Sequence, residues 1–145
     1  MRFTSIPMAF IALGVAALAS QAYGQASAQA LKATLSGPAE KPAGDPQGSG
    51  TASFQVDPAK GEVCYTLQVS KIAPATMAHI HKAPPGAAGP VVVPLAAPDA
   101  SGKSAGCAKA DAAVLTAIQE TPSDYYVNVH NAAFPGGAVR GQLTK

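Results

Sequence analysis

Charged residues are scarce in this sequence, at 12% of its 145 residues. Ten Lys and Arg residues stand against eight Asp and Glu residues, which gives a formal net charge of +2 at pH 7. A nearly neutral surface does not attract nucleic acid or an anionic membrane strongly, and no nucleic-acid partner is predicted.

The sequence also lacks an apolar run long enough to cross a membrane. Its longest run, residues 8–19, follows Arg2, is too short to span a bilayer and is followed by small residues. This pattern predicts a signal peptide over residues 1–28, cleaved near residue 24 or 28, and therefore a periplasmic or secreted protein. A retained membrane anchor is the alternative. Residues 29–145 are then predicted to form a single domain with no membrane span.

Only two cysteines are present, Cys64 and Cys107. In an oxidising compartment an even number of cysteines favours a disulfide, which here would close a loop of forty-three residues. The alternative is a pair of metal-binding thiolates, which would require both cysteines to lie beside the histidines. Because Cys64 precedes the first histidine by fifteen residues and lies on a different predicted strand, we favour the disulfide.

Proline and glycine, with 13 and 14 residues, are spread along the chain and leave only one stretch for a long helix. The short stretches of alternating apolar residues between them predict β-strands. These strands are residues 31–35, 50–56, 62–69, 75–81, 90–95, 125–130 and 138–143. We therefore predict an all-β sandwich of the Greek-key type with one short helix.

The segments between the strands are predicted to form a tight turn, one helix and two loops. Residues 57–61, Asp-Pro-Ala-Lys-Gly, predict a tight turn in which the glycine takes a positive φ. Asp111 is the predicted N-cap of a helix over Ala112–Glu120, which would pack on the sheet. Residues 36–49 are predicted to be a flexible loop, and residues 99–106 a polar loop.

All three histidines lie in two predicted strands, His79 and His81 in Ala-His-Ile-His and His130 in Tyr-Val-Asn-Val-His. Since side chains alternate along a strand, both strands are predicted to be half-buried, with aliphatic residues inward and imidazoles outward. If the strands are neighbours, three imidazoles meet and can bind copper or zinc, while the open fourth position takes water or Met77. The alternative is that these imidazoles are hydrogen-bonded, partly exposed residues of the sheet.

Further polar residues accompany the second histidine strand. Asn128 shares a face with His130 and is predicted to fix an imidazole tautomer, as metal-bound histidines require. Tyr125 and Tyr126 face opposite ways, so one is predicted in the core while the other places a phenol near the imidazoles. Arg140, the only arginine after the signal peptide, either anchors an anion or, as we favour, donates hydrogen bonds to loop carbonyls beside the histidines.

Motifs for hydrolysis are missing from the sequence. It contains no Gly-x-Ser-x-Gly motif and no pair of carboxylates close to the histidines. These are arrangements in which a nucleophile or a general acid and base are placed for reaction. A hydrolase is therefore not predicted, and no residue is assigned a catalytic role.

Six motifs follow one another along the chain: Gly-Thr-Ala-Ser-Phe, Tyr-Thr-Leu-Gln-Val, Ala-His-Ile-His, Gly-Pro-Val-Val, Tyr-Val-Asn-Val-His and Pro-Gly-Gly-Ala-Val-Arg-Gly-Gln-Leu. In this order they resemble the chordin-type (CHRD) domain, a β-sandwich module of chordin and of many exported bacterial proteins. The resemblance covers residues 31–143 and implies an immunoglobulin-like sandwich, similar in outline to copper–zinc superoxide dismutase. Those dismutases also carry a His-x-His strand and a later histidine at copper. Three histidines are nevertheless too few for their two-metal centre.

Three hypotheses for the function follow. The first is an exported, non-catalytic binding module with a surface copper or zinc site made by His79, His81 and His130. The second is a protein-binding or adhesion module with structural histidines and a binding edge at residues 82–90 and 131–137. The third, a dismutase-like redox enzyme, is disfavoured by the shortage of histidines. The first two differ in whether the imidazoles bind a metal or only make hydrogen bonds.

Overall fold

The structure, a computed structural model, describes residues 27–145. Residues 1–26, which make up nearly all of the predicted signal peptide, lie outside the described range. Within the described range, no helix combines the length and the apolar character needed to cross a membrane.

The described chain forms one eight-stranded antiparallel sheet and one α-helix. The strands are β1 (Gln29–Ser36), β2 (Ser49–Asp57), β3 (Glu62–Ser70), β4 (Ala75–Lys82), β5 (Val91–Leu95), β6 (Lys103–Lys109), β7 (Tyr125–Asn131) and β8 (Val139–Gln142). Helix α1 (Ala112–Glu120) lies between β6 and β7 and is followed by a short 3-10 turn. The predicted all-β class with one short helix is confirmed.

The order of strands across the sheet is β5-β4-β7-β8-β1-β2-β3-β6, so several connections cross between its two halves. At the junction of the halves, β8 and β1 pair through Ser36 and Arg140. At the outer edges, the Ser104 hydroxyl of β6 donates to the carbonyl of Ala96, just after β5, at 2.8 Å. The Ala96 N–H in turn donates to the Tyr65 hydroxyl of β3 at 2.8 Å. The sheet therefore curls until its edges meet, and it encloses a core as a sandwich does.

The core is formed by alternate residues of the strands, as the pleat of a sheet requires. Burying these aliphatic and aromatic side chains is the main favourable contribution to folding. The helix closes one side of the core with Leu115 and Ile118. The core comprises Leu31, Ala33, Leu35, Ala52, Phe54, Val56, Val63, Tyr65, Leu67, Val69, Ala78, Ile80, Val93, Leu115, Ile118, Tyr125, Val127, Val129, Val139 and Leu143.

The turn between β2 and β3 and the start of α1 form as predicted. The Asp57 carboxylate accepts from the Lys60 N–H at 3.1 Å, and Gly61 has a φ of 61°. A positive φ of this size is open to glycine at almost no steric cost. At the helix, the Asp111 carboxylate accepts from the Ala113 N–H at 2.7 Å, which satisfies one of the free donors of the first turn.

The predicted polar loop at residues 99–106 is wrong over its second half, because β6 begins at Lys103. This strand pairs with β3 from Glu62 opposite Lys109 to Gln68 opposite Lys103. Its sequence, Lys-Ser-Ala-Gly-Cys-Ala-Lys, contains no branched or aromatic residue, and it is mostly exposed at the edge of the sheet. Pairing with a strong partner strand therefore overrides a weak local preference.

The predicted flexible loop at residues 36–49 is packed against the protein. Four of its residues are buried, including Gly37 and Glu40. The Asp45 N–H donates to the carbonyl of Ala138 at 2.9 Å, which ties the loop to the connection before β8. The loop is therefore part of the wall of the domain and is joined to the β7–β8 hairpin.

The disulfide between Cys64 and Cys107 is present, with an S–S distance of 2.00 Å. The two cysteines lie directly opposite each other on β3 and β6. Because both sulfurs are used in the disulfide, the thiolate alternative is excluded for the oxidised protein. The bond closes a loop of forty-three residues and attaches the weakly apolar edge strand to the sheet.

Replacing both cysteines by alanine is expected to lower the free energy of unfolding by about 4 kcal/mol, the chain-entropy value for a loop of this size. Urea unfolding of the oxidised wild type and of the double variant measures this difference. Wild type with its disulfide reduced is the control, and it should approach the stability of the variant. Equal stability of the oxidised wild type and the variant would contradict the prediction.

Candidate metal centre

Strands β4 and β7 are direct antiparallel neighbours, as the metal hypothesis requires. Residues directly opposite each other in such a pair project to the same side of the sheet. The histidines therefore share one face, opposite the core. Three facing pairs make up this face: Met77 and His130, His79 and Asn128, and His81 and Tyr126.

The three imidazoles form one compact group. The ring centroids of His79 and His130 lie 5.0 Å apart, those of His79 and His81 5.5 Å, and those of His81 and His130 6.3 Å. One ring nitrogen from each lies within 4.8 Å of the other two. No carboxylate belongs to this group among the described residues, so all its possible ligands are neutral.

The ring of His81 is oriented by a backbone carbonyl. Its Nδ1–H donates to the carbonyl of Gly89 at 2.8 Å. This hydrogen bond leaves the lone pair on Nε2, and Nε2 is buried without a hydrogen-bond partner among the described residues. A buried acceptor with no partner costs roughly 1–3 kcal/mol. A metal ion bound to Nε2 would satisfy this atom.

His130 is oriented in the same way. Its Nδ1–H donates to the carbonyl of Pro135 at 2.9 Å, so its lone pair is also on Nε2. That atom lies 3.1 Å from Nδ1 of His79 and 3.1 Å from Oδ1 of Asn128. Because a lone pair on Nε2 and an amide oxygen both accept, a neutral His130 requires the Asn128 amide to be turned so that its N–H faces Nε2. With its lone pair on Nε2, His130 accepts a hydrogen bond from the Nδ1–H of His79. Asn128 thus lies beside the imidazole of His130.

The spacing of the ring nitrogens of His79 and His130 suits a metal ion. With bonds of ~2.05 Å, two nitrogens 3.1 Å apart subtend an angle of about 100° at the ion. This angle is close to that of tetrahedral coordination. His79 would bind through Nδ1 after moving its proton to Nε2, while His81 and His130 would bind through Nε2. The three histidines could therefore hold a metal ion.

The imidazoles are less exposed than predicted. His81 and His130 are only 8% and 6% exposed, and His79 is intermediate. The prediction of a half-buried second histidine strand is wrong, because all seven residues of β7 are buried. Hydrogen bonds from His81 and His130 to Gly89 and Pro135 show that the loops after β4 and β7 fold over the outer face.

A stack of three side chains supports His81. The Tyr126 ring lies 4.7 Å from the imidazole of His81 and is nearly parallel to it, at 7°. The Arg140 guanidinium lies over Tyr126, 3.4 Å from the centroid of the phenol ring. Tyr125 points the other way, into the core. The two tyrosines thus divide as predicted between the core and the histidine face.

Arg140 is buried and attaches the loop after β4 to the sheet. It donates to the carbonyl of Ala87 at 2.6 Å and to that of Pro84 at 3.0 Å. It also donates to the side chain of Gln142 at 3.2 Å. Three of the five N–H donors of Arg140 are therefore used within the protein, two of them on loop carbonyls.

The loop after β4 approaches its own strand very closely at Gly89. A Cβ atom at this position would lie 1.9 Å from the carbonyl oxygen of Lys82, which no side chain can tolerate. The Gly89 N–H also contacts the Tyr126 hydroxyl at 3.4 Å. Glycine therefore allows the loop to present its carbonyl to His81.

Some functional contacts were missed by the sequence analysis. The carbonyls of Gly89 and Pro135 orient two of the imidazoles, and backbone acceptors leave no side-chain pattern to detect. Gln142 was missed as well, although its amide donates to the carbonyls of Ala83 and Ser123, both at 2.7 Å. One feature of the sequence could have indicated Gln142: it follows Arg140 by two residues and therefore lies on the same face of the strand.

The family model described as the CHRD domain matches residues 31–143. The chain belongs to the CHRD domain family. No curated protein and no solved structure matches the chain, so the likeness to dismutases is not shown. Membership indicates a binding module, and the disulfide of this CHRD protein fits an oxidising compartment.

Replacing Arg140 by glutamine is expected to lower the free energy of unfolding by about 2–4 kcal/mol, because buried carbonyls lose charged donors. Lys82→Gln is the matched control, since the Lys82 ammonium also lies over a tyrosine, 5.9 Å from the Tyr125 centroid, but is exposed. Its effect should stay within about 0.5 kcal/mol. Chemical unfolding compares the two, and similar losses would contradict the structural role of Arg140.

The pKa of His79 in the metal-free protein is held below its ordinary value of 6.5. Burial is the largest cause, followed by repulsion from His130 and then from His81. The unfolded chain therefore binds this proton more tightly than the folded protein does. The contribution of His79 to stability is lost as pH falls from 6.5 to the folded-state pKa, and it does not change further below that value.

An NMR titration of the imidazole signals in metal-free protein should place the His79 midpoint below 6.5. In His130→Gln the midpoint should rise, because one source of repulsion is removed. Urea unfolding across the same pH range should show a smaller acid-induced loss for His79→Asn than for wild type. A midpoint at or above 6.5 in the wild type would show that burial and repulsion do not act as described.

Proposed function

We propose that this CHRD protein is an exported, non-catalytic binding module that holds one copper or zinc ion through His79, His81 and His130. The observation that carries the proposal is the buried Nε2 of His81, which has no hydrogen-bond partner among the described residues and belongs to a group of three converging imidazoles. A structural role alone would leave this acceptor unsatisfied. A bound ion would satisfy it together with the two other nitrogens.

The hydrogen bonds behind the rings support the same function. Metal-bound histidines generally donate their second ring N–H to a carbonyl or a carboxylate, which fixes the tautomer and the orientation of the ring. His81 and His130 both do so, to Gly89 and Pro135. These hydrogen bonds hold two of the three ligands in the tautomer that binding requires.

The arrangement favours binding over catalysis. Three imidazoles leave one coordination position for water, Met77 or a partner's ligand. No carboxylate lies in the histidine group among the described residues to act as a general base. We therefore assign the site to holding or transferring the ion, and a dismutase-like activity is not part of the proposal.

Export is part of the same proposal. Residues 1–28 would act as a signal peptide, and the remaining chain would be released into the periplasm or secreted. The disulfide between Cys64 and Cys107 supports this location, because such bonds persist in oxidising compartments. An exported protein also meets copper and zinc outside the cytosolic pool.

A second candidate function, a protein-binding or adhesion module, has one specific observation in its favour. Met77 and Val91 are the two exposed large apolar side chains among the described residues, each 47% exposed. They lie opposite His130 and His81, respectively, and so flank the histidine group. A protein partner could use this border whether or not a metal binds beneath it.

Calorimetry and elemental analysis of the exported protein are expected to show one Cu²⁺ or Zn²⁺ ion per chain at pH 7.5. His81→Gln and His130→Gln should each weaken binding by at least about a hundredfold, because each removes a nitrogen ligand. Occupancy should also fall as pH drops through the histidine range near ~6.5, since only neutral imidazoles bind.

Lys82→Gln is the matched control, because it places a glutamine next to His81 on the same strand but leaves every imidazole in place. Near-ultraviolet circular dichroism should confirm that all variants keep the native fold. Absence of bound metal in wild type after dialysis, or equal binding by wild type and both histidine variants, would reject the metal site. A protein partner retained by all variants would then favour the second function.

A further inference from the structure

We infer that the histidine centre is built for monovalent copper, Cu(I), and that Met77 is its fourth ligand. This inference rests on the proposed metal site and deepens it by naming the ion and its oxidation state. Two independent features of the structure carry it: the absence of negative charge around the imidazoles and the position of Met77 beside them.

The charge around the site favours an ion with a single positive charge. All three ligands are neutral, and the described residues of the group include no carboxylate. The acceptors behind His81 and His130 are backbone carbonyls, which are also neutral. Because the cost of desolvating an ion rises with the square of its charge, a divalent ion costs about four times as much to bury here as a monovalent one.

A buried cation close to the site adds to this preference. Arg140 is 2% exposed, and only the ring of Tyr126 separates its guanidinium from the imidazole of His81. The interaction between two cations is proportional to the product of their charges, so a divalent ion is repelled about twice as strongly as a monovalent one. The fixed charge of Arg140 therefore also disfavours Cu²⁺ and Zn²⁺ relative to Cu(I).

Met77 supplies the ligand that distinguishes Cu(I) from zinc. It lies directly opposite His130 and two residues before His79 on the same face. Cβ atoms of directly opposed residues lie about 5 Å apart, a distance that the long side chain of methionine can bridge. A thioether is a soft ligand that selects Cu(I), whereas zinc binds nitrogen, oxygen and thiolate.

The exposure of the ligands indicates how the ion enters. His81 and His130 are covered, whereas His79 is intermediate and Met77 is 47% exposed. Among the four ligands, Met77 and His79 are therefore the ones that solvent can reach. A thioether at the opening can meet an incoming Cu(I) ion first and then close over it, and it remains accessible to a partner that delivers or removes the ion.

Competition titrations test the inference on protein exported from the full chain. Cu(I) is kept reduced with ascorbate under argon and titrated against a chromophoric Cu(I) chelator, and Zn²⁺ against a fluorescent zinc chelator. Wild type should bind Cu(I) more tightly than Zn²⁺. Met77→Leu should weaken Cu(I) binding by about tenfold or more and change Zn²⁺ binding by less than about twofold.

Val91→Ala is the matched control, because Val91 has the same exposure and also borders the histidine group but offers no ligand. It should leave both affinities unchanged. A second readout is the methyl signal of Met77, the only methionine after residue 26, which should shift in NMR spectra on addition of Cu(I) and not of Zn²⁺.

The outcomes separate this inference from the metal site itself. Zn²⁺ bound as tightly as Cu(I), or Met77→Leu affecting both ions equally or neither, would overturn the assignment to Cu(I) and leave a metal site in place. No binding of either ion by the wild type would overturn both proposals. A selective loss of Cu(I) affinity in Met77→Leu, with an unchanged Val91→Ala, supports the inference.

Discussion

The register between β4 and β7 is the constraint on which the histidine centre depends. Side chains alternate along a strand, so a slip of one residue would turn His79 and His81 toward the core and Ile80 toward the loops. The register is protected because Ile80 and Val127, which are paired across the two strands, are both fully buried. The core thus selects the alignment, and the opposite face acquires its three imidazoles as a consequence.

The loops add a second level of control over the same face. Arg140 and Gln142 of β8 hold the loop after β4 through its carbonyls, and this loop presents the Gly89 carbonyl to His81. Residues far apart in the chain therefore decide the tautomer of one imidazole. The sheet sets which residues meet, and the loops set which nitrogen of each ring is free.

Much of this arrangement could be predicted from the sequence, but only those parts that a pattern of side chains determines. Alternation gave the shared face of His79 and His81, and the Asp-Pro-Ala-Lys-Gly turn and the Asp111 cap follow from local chemistry. Strand β6 was missed because its small residues carry no strand preference, and it forms through pairing with β3. The burial of His81 and His130 was missed because it depends on loops whose backbone carbonyls leave no trace in the sequence.

The pairing of the first strand with the end of the chain has a practical consequence. Lys32 and Thr144 exchange backbone hydrogen bonds of 2.9 and 2.8 Å, so the start of β1 and the last residues run side by side in opposite directions. A short linker could join them without disturbing the sheet. The chain could then be cut in the tight turn after β2. This would give a circularly permuted domain whose two new ends lie away from the histidine face.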